Sequence, residues 1–300
     1  MIEVNCNLCG RDEWRVRFPA TMQAAPQVEA FRCTSPGYGH HAQIVECVHC
    51  GYVYANPRLA EEQLLAAYAA VEDSTYVQER AGRELTFQRH LQHMEKIVGV
   101  ANGRSLLDVG AYIGIFVEVA AATGWQVCGV EPSSWAVMEA RKRGLPVIEG
   151  TQDAPALQGK QFDVVTMWDV IEHVDDPTTE LRKAYHLLKP GGWLIVHTMD
   201  VTSLAARLMG PRWPWLMDMH LHYFSQTTLA QMMWNVGFDV VWSGVRGRYL
   251  RLGYLVTRLG GLHSLLGWLA GVVVNGLRLQ KTAVPVNFGD LFTIYGRRKA

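Results

Sequence analysis

The stretch SLLDVGAYIGIF, residues 105–116, decides the fold. Its first five residues form a short apolar run that is typical of a buried strand, and the run leads through Gly110 and Gly114 into a helical pattern. Glycines let the backbone approach a ligand closely, and a helix N-terminus offers free amides to a carboxylate or phosphate. We therefore expect a strand, loop and helix that bind a nucleotide-like ligand.

Short apolar runs alternate with helical patterns around this unit, which is typical of a parallel sheet with crossover helices. The predicted strands cover residues 105–109, 126–130, 146–149, 162–167, 193–198, 239–245 and 291–295. The predicted helices cover residues 76–98, 116–123, 134–143, 177–188 and 227–236, with a short one near residues 64–68. The sequence thus predicts an α/β fold with helices on both faces of the sheet.

Glu131 ends the strand that follows, 23 residues beyond Asp108. In that position its carboxylate can accept hydrogen bonds from both hydroxyls of a ribose. Enzymes that bind dinucleotides share such an acid, but they also carry the string G-x-G-x-x-G for the pyrophosphate. The sequence lacks that string, so a ligand without a pyrophosphate is favoured.

At this point the chain resembles the class I S-adenosylmethionine (SAM)-dependent methyltransferases. LLDVGAYIGIF (106–116) is similar to the first motif of the family, and GVEPSSWAVMEARKRGLPVIEGT (129–151) to its second strand and helix. FDVVTMWDVIEHVDDP (162–177) resembles the fourth strand, and LLKPGGWLIVHT (187–198) the turn and fifth strand. The resemblance implies a Rossmann-like methyltransferase sheet and SAM as the cofactor.

Three further strings narrow the resemblance to a bacterial subgroup with a zinc-binding N-terminal extension. They are GYVYANPR after two Cys-x2-Cys pairs, WPWLMDMHLHYFSQTTLAQMMWNVGF (213–238) and PVNFGDLFTIYGR (285–297). The resemblance covers nearly the whole chain. It predicts a zinc-ribbon-like unit at residues 1–58, a helical linker or cap at 59–100, and a methyltransferase domain at 101–300 with a helical insert at about 248–284, before the last strand.

The resemblance also assigns the cofactor residues. Asp108 and the loop from Gly110 to Gly114 are implied to hold the methionine moiety, and Glu131 the ribose. Residues 151–153 are implied to border the adenine, and residues 167–169 to lie near the sulfonium. The full predicted set is Asp108, Gly110, Ala111, Tyr112, Gly114, Phe116, Glu131, Pro132, Thr151, Gln152, Met167, Trp168 and Asp169.

Tyr112 departs from the family pattern, which usually has glycine between the two outer glycines of the loop. A tyrosine fits there if its φ is negative and its ring turns outward, or it can stack on the cofactor or cap the substrate pocket. If neither holds, cofactor binding is lost. In that case the chain is a non-catalytic module whose zinc extension binds a partner.

His173, just past the fourth strand, is the predicted general base. Methyl transfer to a hydroxyl is a direct displacement, in which the protein aligns donor and acceptor and removes a proton. A histidine titrates in the range that this task requires. The alternative is a structural histidine bonded to the backbone.

Asp169, Glu172 and His173 share one face if their stretch is helical, and such a cluster can bind a divalent ion. It resembles the E-x-x-E-H string of ubiquinone-pathway O-methyltransferases and of small-RNA 2′-O-methyltransferases, where a bound metal polarises the acceptor hydroxyl. The RNA enzymes add a later histidine, which His220 matches; His222 is an equal candidate. The same spacing also occurs on ordinary solvated helices. Trp213 and Trp215 form either an acceptor wall or a packed loop.

The cysteines of the two Cys-x2-Cys pairs, Cys6, Cys9, Cys47 and Cys50, predict a structural zinc site. A gap of two residues lets both thiolates of a pair point at one tetrahedral Zn²⁺. Gly10 and Gly51 follow the pairs and suit the tight turn under the metal. The 37 residues between the pairs predict a folded excursion that contains Cys33. The histidines that can replace a cysteine ligand are His40, His41 and His49; Cys128 is expected in the core.

The insert contains an apolar stretch, residues 259–277, with only His263, Ser264 and Asn275 clearly polar. Its length reaches that of a membrane span, but five glycines and flanking arginines argue against one. Helices that cover the site, pair with another subunit or lie on a membrane surface stay as alternatives, including peripheral membrane contact through residues 250–280.

Composition excludes several classes of protein. The 300 residues are 49% hydrophobic and only 19% charged, which excludes a disordered chain. Twenty-eight basic and 28 acidic residues give a net charge of zero, which disfavours a nucleic-acid methyltransferase that uses the zinc unit as a reader. No basic stretch followed by an apolar run opens the sequence, so we expect a cytoplasmic protein. The leading hypothesis is a SAM-dependent methyltransferase acting on an oxygen of a small-molecule, sugar or lipid-linked acceptor.

Overall fold

The amino-terminal part of the chain builds a small antiparallel sheet. The computed structural model describes residues 1–22, 28–35 and 39–300, and elements are numbered in chain order. Strands β1 (Trp14–Phe18), β2 (Ile44–Cys47) and β3 (Val53–Ala55) pair in sequence. A fourth strand, β9 (His222–Tyr223), joins the edge of β3 from far along the chain. The cysteine-rich unit is therefore tied directly to a late segment.

Three helices follow this sheet. They are α1 (Glu61–Ala69), α2 (Ser74–Gln78) and α3 (Arg80–Val98). The sequence predicts a single helix over residues 76–98, whereas the structure has a break at Glu79. The side chain of Asp73 caps α2 by accepting a hydrogen bond from the amide of Tyr76 at 3.0 Å. The predicted helix is therefore divided into the short α2 and the long α3.

A seven-stranded sheet forms the centre of the molecule. Its strands are β4 (Ser105–Val109), β5 (Gln126–Glu131), β6 (Val147–Glu149), β7 (Phe162–Trp168), β8 (Leu188–Met199), β10 (Phe238–Val245) and β13 (Leu291–Arg298). Their order is β10-β13-β8-β7-β4-β5-β6, and β13 alone runs antiparallel to both of its neighbours. All seven predicted strands are present, and the predicted α/β class is confirmed.

Alternate residues of the strands supply two separate cores, one on each face of the sheet. Leu106, Val164 and Ile195 face one side, where they pack with residues of α3 and of α4 (Ile115–Ala121). The next residue along each strand faces the other side, which is covered by α6 (Pro177–Leu187) and α8 (Gln226–Val236). Each fully buried aliphatic side chain contributes about 1.5–3 kcal/mol, so both layers stabilise the sheet. The helix α5 (Ser134–Arg141) packs beside β5 and β6.

The insert before the last strand is a helical hairpin on a two-stranded ladder. Strands β11 (Arg248–Arg251) and β12 (Ala283–Val286) pair antiparallel. Between them lie α9 (Leu252–Leu262) and α10 (Ser264–Gly276), while α7 (Leu204–Met209) precedes β9. Within the described ranges, none of the helices has the length and apolar character needed to cross a membrane. The predicted helical insert is confirmed.

Candidate active site

A cavity of about 570 Å³ lies at the carboxyl ends of β4, β5, β6 and β7. In open sheets of parallel strands, ligands bind beyond the carboxyl ends of the strands. They bind at the point where the order of the strands reverses. Nine of the thirteen predicted cofactor residues line the cavity: Gly110, Tyr112, Glu131, Pro132, Thr151, Gln152, Met167, Trp168 and Asp169. The topology therefore brings segments that are far apart in sequence to one place.

The four other predicted cofactor residues lie behind the cavity wall. Ala111, Gly114 and Phe116 are buried at the loop and the start of α4. Asp108 is buried in β4 and accepts a hydrogen bond from Thr166 Oγ1 at 2.7 Å. Burial raises the pKa of Asp108 to about 8, against the lowering effect of that hydrogen bond. Asp108 supports the loop from below and does not itself line the cavity.

Glu131 holds the glycine loop in place from the end of β5. Its Oε2 accepts the amide of Tyr112 at 2.9 Å and its Oε1 accepts the amide of Ser133 at 2.8 Å. Each carboxylate oxygen has a second lone pair, so both can still accept a ribose hydroxyl. Burial raises the pKa of Glu131 to about 7, although the two amide hydrogen bonds lower it. These two acceptor oxygens fit the hydroxyls of a ribose in a nucleoside cofactor.

The geometry of the loop explains why residue 110 is a glycine and makes Tyr112 unusual. A Cβ on Gly110 would lie 2.5 Å from Cγ2 of Val170, and its φ of +68° also favours glycine. Tyr112 has a φ of +48°, so the condition of a negative φ is not met. Its ring packs edge-on against Tyr76 at 4.5 Å and tilts toward Trp135 at 5.9 Å. Tyr112 is part of the wall and leaves the cavity open, which removes the ground for a non-catalytic module.

His173 also lines the cavity, and its tautomer follows from its contacts. Its Nδ1 lies 3.0 Å from the carbonyl oxygen of Met219 and 2.8 Å from the hydroxyl of Tyr68. A carbonyl only accepts, so Nδ1 carries the proton and Nε2 keeps its lone pair. Burial lowers the pKa of His173, while the Met219 carbonyl raises it. The imidazole is therefore neutral at pH 7 and able to take up a proton.

His173, His220 and Glu172 form a cluster, with one ligand atom of each within 4.8 Å of the others. Nδ1 of His220 contacts the carbonyl oxygen of Trp215 at 2.7 Å, which leaves its Nε2 with a lone pair. Burial and the neighbouring His173 lower the pKa of His220 to about 3. Glu172 is buried, and its Oε2 has no hydrogen-bond partner among the described residues. Burial and the neighbouring Asp169 raise the pKa of Glu172 to about 8, so two neutral imidazoles and a carboxyl group are brought together.

Asp169 does not join this cluster. Residues 169–175 form turns and not a helix, and Asp169 itself has a φ of +54°, so the expectation of one helical face is wrong. The physical reason is Pro177, which starts α6 with Asp176 as its cap and keeps the preceding segment out of the helix. The carboxylate of Asp169 pairs with Arg248 at 3.2 Å. Arg248 stands on β11 and was not predicted as a site residue.

His222 and the two tryptophans are assigned by their surroundings. Nδ1 of His222 bonds to the hydroxyl of Tyr52 at 2.8 Å, and its Nε2 lies 3.0 Å from the carbonyl oxygen of Val174, so it is structural. Trp213 is buried in a core cluster and donates to Asp290. Trp215 donates to the same carboxylate, lines the cavity and lies under Arg248 at 4.9 Å. Only Trp215 therefore belongs to the wall.

The four paired cysteines meet in one place. Sγ of Cys6 lies 3.4 Å from that of Cys50, Sγ of Cys9 lies 3.6 Å from that of Cys47, and all four sulfurs lie within 4.8 Å of one another. Tetrahedral zinc with bonds of about 2.3 Å separates its sulfurs by about 3.8 Å, so the spacing fits. Gly10 and Gly51 have φ of +78° and +71°, as the turns under a metal require. The predicted alternatives His40, His41 and His49 are not in the cluster, and Cys33 lines the cavity instead.

Comparisons with known proteins agree with this geometry. The family described as a methyltransferase domain matches residues 75–242, more than half of the chain. The chain is 29% identical over 175 residues to the ubiquinone biosynthesis O-methyltransferase of Bordetella avium, with 52% of this chain and 70% of that protein covered. It is 36% identical over 113 residues to the enzyme of that name from Xanthomonas oryzae, covering 35% of this chain and 47%, about half, of the relative.

Solved structures show the same fold at low identity. A SAM-dependent methyltransferase from Archaeoglobus fulgidus aligns with a TM-score of 0.50 at 16% identity, over 75% of this chain and 100% of that one. A chain of the Haloferax volcanii complex between the Trm112 methyltransferase activator and a methyltransferase aligns with a TM-score of 0.52 at 15% identity, over 80% and 98%. The sheet order, the cavity and the family match lead to one conclusion. The chain belongs to the methyltransferase domain family.

Proposed function

We propose that the protein transfers the methyl group of SAM to an oxygen of a small-molecule acceptor. The observation that carries this proposal is His173, a half-buried neutral imidazole in the wall of the cavity that also contains Glu131, the predicted ribose ligand. SAM supplies an activated methyl group, and the displacement needs the acceptor hydroxyl to lose its proton. The relatives described as ubiquinone biosynthesis O-methyltransferases support transfer to oxygen.

His173 would act through Nε2, since Nδ1 donates to the Met219 carbonyl. That hydrogen bond also fixes the plane of the ring, so the base is oriented before the acceptor arrives. When Nε2 takes the proton, the positive imidazolium is stabilised by the nearby carboxylate of Asp169, which raises the pKa of His173. Burial works in the opposite direction and keeps the base unprotonated between turnovers.

The Glu172, His173 and His220 cluster supports a second role, the binding of a divalent cation. Both histidines have their Nδ1 atoms turned to carbonyl oxygens, which is the usual orientation of metal-binding imidazoles. Glu172 adds a buried carboxylate oxygen without a hydrogen-bond partner in the described ranges. A cation held there would polarise the acceptor oxygen. In that case His173 is a ligand and the proton passes to solvent or to another group.

The acceptor side of the cavity favours an apolar or lipid-linked substrate. Its lining includes Phe31, Leu64, Leu65, Trp215, Met217 and Met219. Aromatic and thioether side chains bury a hydrophobic ligand without requiring polar partners from it. An acceptor with one hydroxyl near His173 and a long apolar remainder would use both halves of this wall.

We further propose that the cysteine cluster holds a structural zinc ion. Four thiolates around one tetrahedral position form a closed site with no place left for a substrate. Such a cluster stays reduced in a reducing compartment, which suits the expected cytoplasmic location. Because four cysteine sulfurs complete a tetrahedral coordination, none of the nearby histidines is needed as a zinc ligand.

The test compares His173→Gln with His186→Gln, a control histidine that is exposed on α6 and does not line the cavity. With a phenol attached to an isoprenoid chain as the probe acceptor, His173→Gln should lower the rate of S-adenosylhomocysteine formation by about 10²–10⁴-fold and leave SAM affinity nearly unchanged. His186→Gln should match the native protein. Equal rates in both variants would refute the base. Complete loss of activity with a chelator, restored by Mg²⁺ or Mn²⁺, would assign His173 to the cation site instead.

A further inference from the structure

The helical hairpin α9–α10 turns its large apolar side chains toward solvent. Trp268, near the middle of α10, has 64% of its surface exposed. Monomeric proteins rarely expose apolar patches of this kind unless the patch meets another surface. The exposed apolar residues of the hairpin and the segment after it are Leu259, Leu265, Leu266, Trp268, Leu269, Val272, Val273, Leu277 and Leu279.

Glycines form the contact between the two helices. A Cβ on Gly267 would lie 2.3 Å from Cα of Gly260, so no side chain fits at the crossing. A Cβ on Gly271 would lie 3.4 Å from Cγ1 of Val256, which again shows close approach. In α10 the one buried residue is Gly267. Small residues inside and large apolar residues outside are typical of helices in lipid, where the surroundings are as apolar as a core.

The hairpin is too short to cross a membrane. Its helices have 11 and 13 residues, or roughly 17 and 20 Å, whereas the hydrocarbon core of a bilayer is about 30 Å thick. Elements of this length and character lie in the interface, with their apolar face among the acyl chains. A tryptophan in such an element sits at the depth of the headgroups.

The segment that contains the hairpin has a positive net charge. No aspartate or glutamate occurs in residues 246–289, whereas six arginines and lysines do. Arg248 and Arg251 are paired with Asp169 and Glu79 in the body of the protein. Arg278 and Lys281, just beyond α10, are exposed and have no ion pair in the part of the chain that the structure describes. This charge complements anionic headgroups, and it would repel the same surface of a second copy.

The base of the hairpin is fixed at the rim of the cavity. Strand β11, which leads into α9, carries Arg248 in the cavity wall. The amide of Tyr249 donates to Thr86 Oγ1 at 2.8 Å, and Arg251 bonds to Glu79 at the start of α3. A partner bound to the hairpin therefore lies beside the acceptor side of the cavity.

We propose that α9–α10 docks the protein onto an anionic lipid bilayer, with Trp268 and its apolar neighbours inserted and Arg278 and Lys281 at the headgroups. This surface goes beyond the proposed methyl transfer, because docking requires neither cofactor nor acceptor. A docked molecule would place its cavity beside the lipid phase, where an acceptor with an apolar chain is concentrated.

Flotation of the full-length protein with vesicles tests the proposal. The native protein should float with vesicles of phosphatidylcholine and phosphatidylglycerol, and less with phosphatidylcholine alone. The double variant Leu265→Ala/Trp268→Ala should reduce the partition coefficient by about tenfold or more, since each side chain loses its apolar burial. Trp234→Ala is the matched control, because Trp234 is 60% exposed and lies on α8, outside the hairpin. This control should float like the native protein.

A second pair of variants tests the charge. Arg278→Glu/Lys281→Glu should weaken binding to the anionic vesicles and leave binding to phosphatidylcholine nearly unchanged. Failure of the native protein to float with the anionic vesicles would overturn the proposal, as would equal loss in the Trp268 variant and the Trp234 control. Sedimentation velocity supplies the competing outcome: a native dimer that the Leu265→Ala/Trp268→Ala change converts to a monomer would show that the hairpin pairs subunits. None of these measurements depends on methyl transfer, so the proposed function stands or falls separately.

Discussion

Asn7 lies between the first two cysteines and joins the cysteine cluster to the start of α6, just after the turn that carries His173. Its Nδ2 donates to Oδ1 of Asp176 at 2.8 Å, and its Oδ1 accepts the amide of Thr178 at 3.0 Å and the hydroxyl of Thr178 at 2.6 Å. Asp176 caps α6 and closes the turn that carries His173. We predict that Asn7→Ala destabilises the protein and misplaces this turn.

The size of the effect follows from the lost contacts. A neutral hydrogen bond contributes about 1 kcal/mol and one to a carboxylate about 1.5–3 kcal/mol, before correction for partial exposure. Asp176 keeps its bond from the amide of Thr179 at 2.8 Å, so the helix cap itself survives. We therefore expect the free energy of unfolding to fall by about 2–3 kcal/mol, which lowers Tm of the 300-residue chain by about 3–5 °C.

Asn5, which directly precedes Cys6, provides the control. It makes one exposed hydrogen bond, from Nδ2 to the carbonyl oxygen of Gly10 at 3.3 Å. Urea and thermal unfolding of zinc-loaded protein should give a loss within about 0.5 kcal/mol for Asn5→Ala. The rate of methyl transfer should fall in Asn7→Ala and stay unchanged in Asn5→Ala. Equal stability and equal rates in the two variants would refute the link between the first Cys-x2-Cys pair and the turn that carries His173.

Three other changes have defined outcomes. Burial raises the pKa of Glu131 to about 7, so SAM binding below that pH must first displace a proton. Calorimetry should show affinity falling by up to about tenfold per pH unit below pH 7 and nearly constant above pH 8, and Glu131→Gln should bind weakly with no such slope. The hydroxyl of Tyr112 is buried without a partner among the described residues, so Tyr112→Phe should stabilise the cofactor-free protein by about 1 kcal/mol; a lower Tm would contradict this. Native protein should contain one zinc ion per chain by mass spectrometry under native conditions, and Cys47→Ser should lose it together with the folded N-terminal sheet; full zinc content in that variant would argue for another ligand set.

The central sheet was predictable because its signals are local. Each strand is an apolar run of a few residues bounded by glycine, proline or a helix cap, and such runs fix both the element and its burial. Leu188–Met199 is longer than predicted because Leu188 also pairs with Phe162, across an irregularity in the ladder that contains Pro190. Cys128 was expected in the core, and it is half-buried in β5 against the main cluster.

The candidate site was only partly predictable, because several of its contacts join segments far apart in sequence. The pairs Asp169–Arg248 and Tyr68–His173 span 79 and 105 residues, and no periodicity or spacing indicates either of them. The turn at residues 169–175 did carry a signal. Pro177 requires a helix start, and a helix that starts there cannot also contain Asp169. The sequence alone does not decide whether His220 or His222 belongs to the site. The β3–β9 pairing decides it, because it buries His222 within the N-terminal sheet.

That pairing sets an order of events during synthesis. The exposed edge of β3 has no neighbour until residues 222 and 223 have left the ribosome, and an unpaired edge is open to wrong partners. The sheet of β1, β2 and β3 is thus completed only after much of the central sheet has been synthesised, and a chain interrupted before residue 222 would keep this sheet without its fourth strand. Nascent chains shortened on either side of this point should therefore differ sharply in resistance to protease at their N-termini.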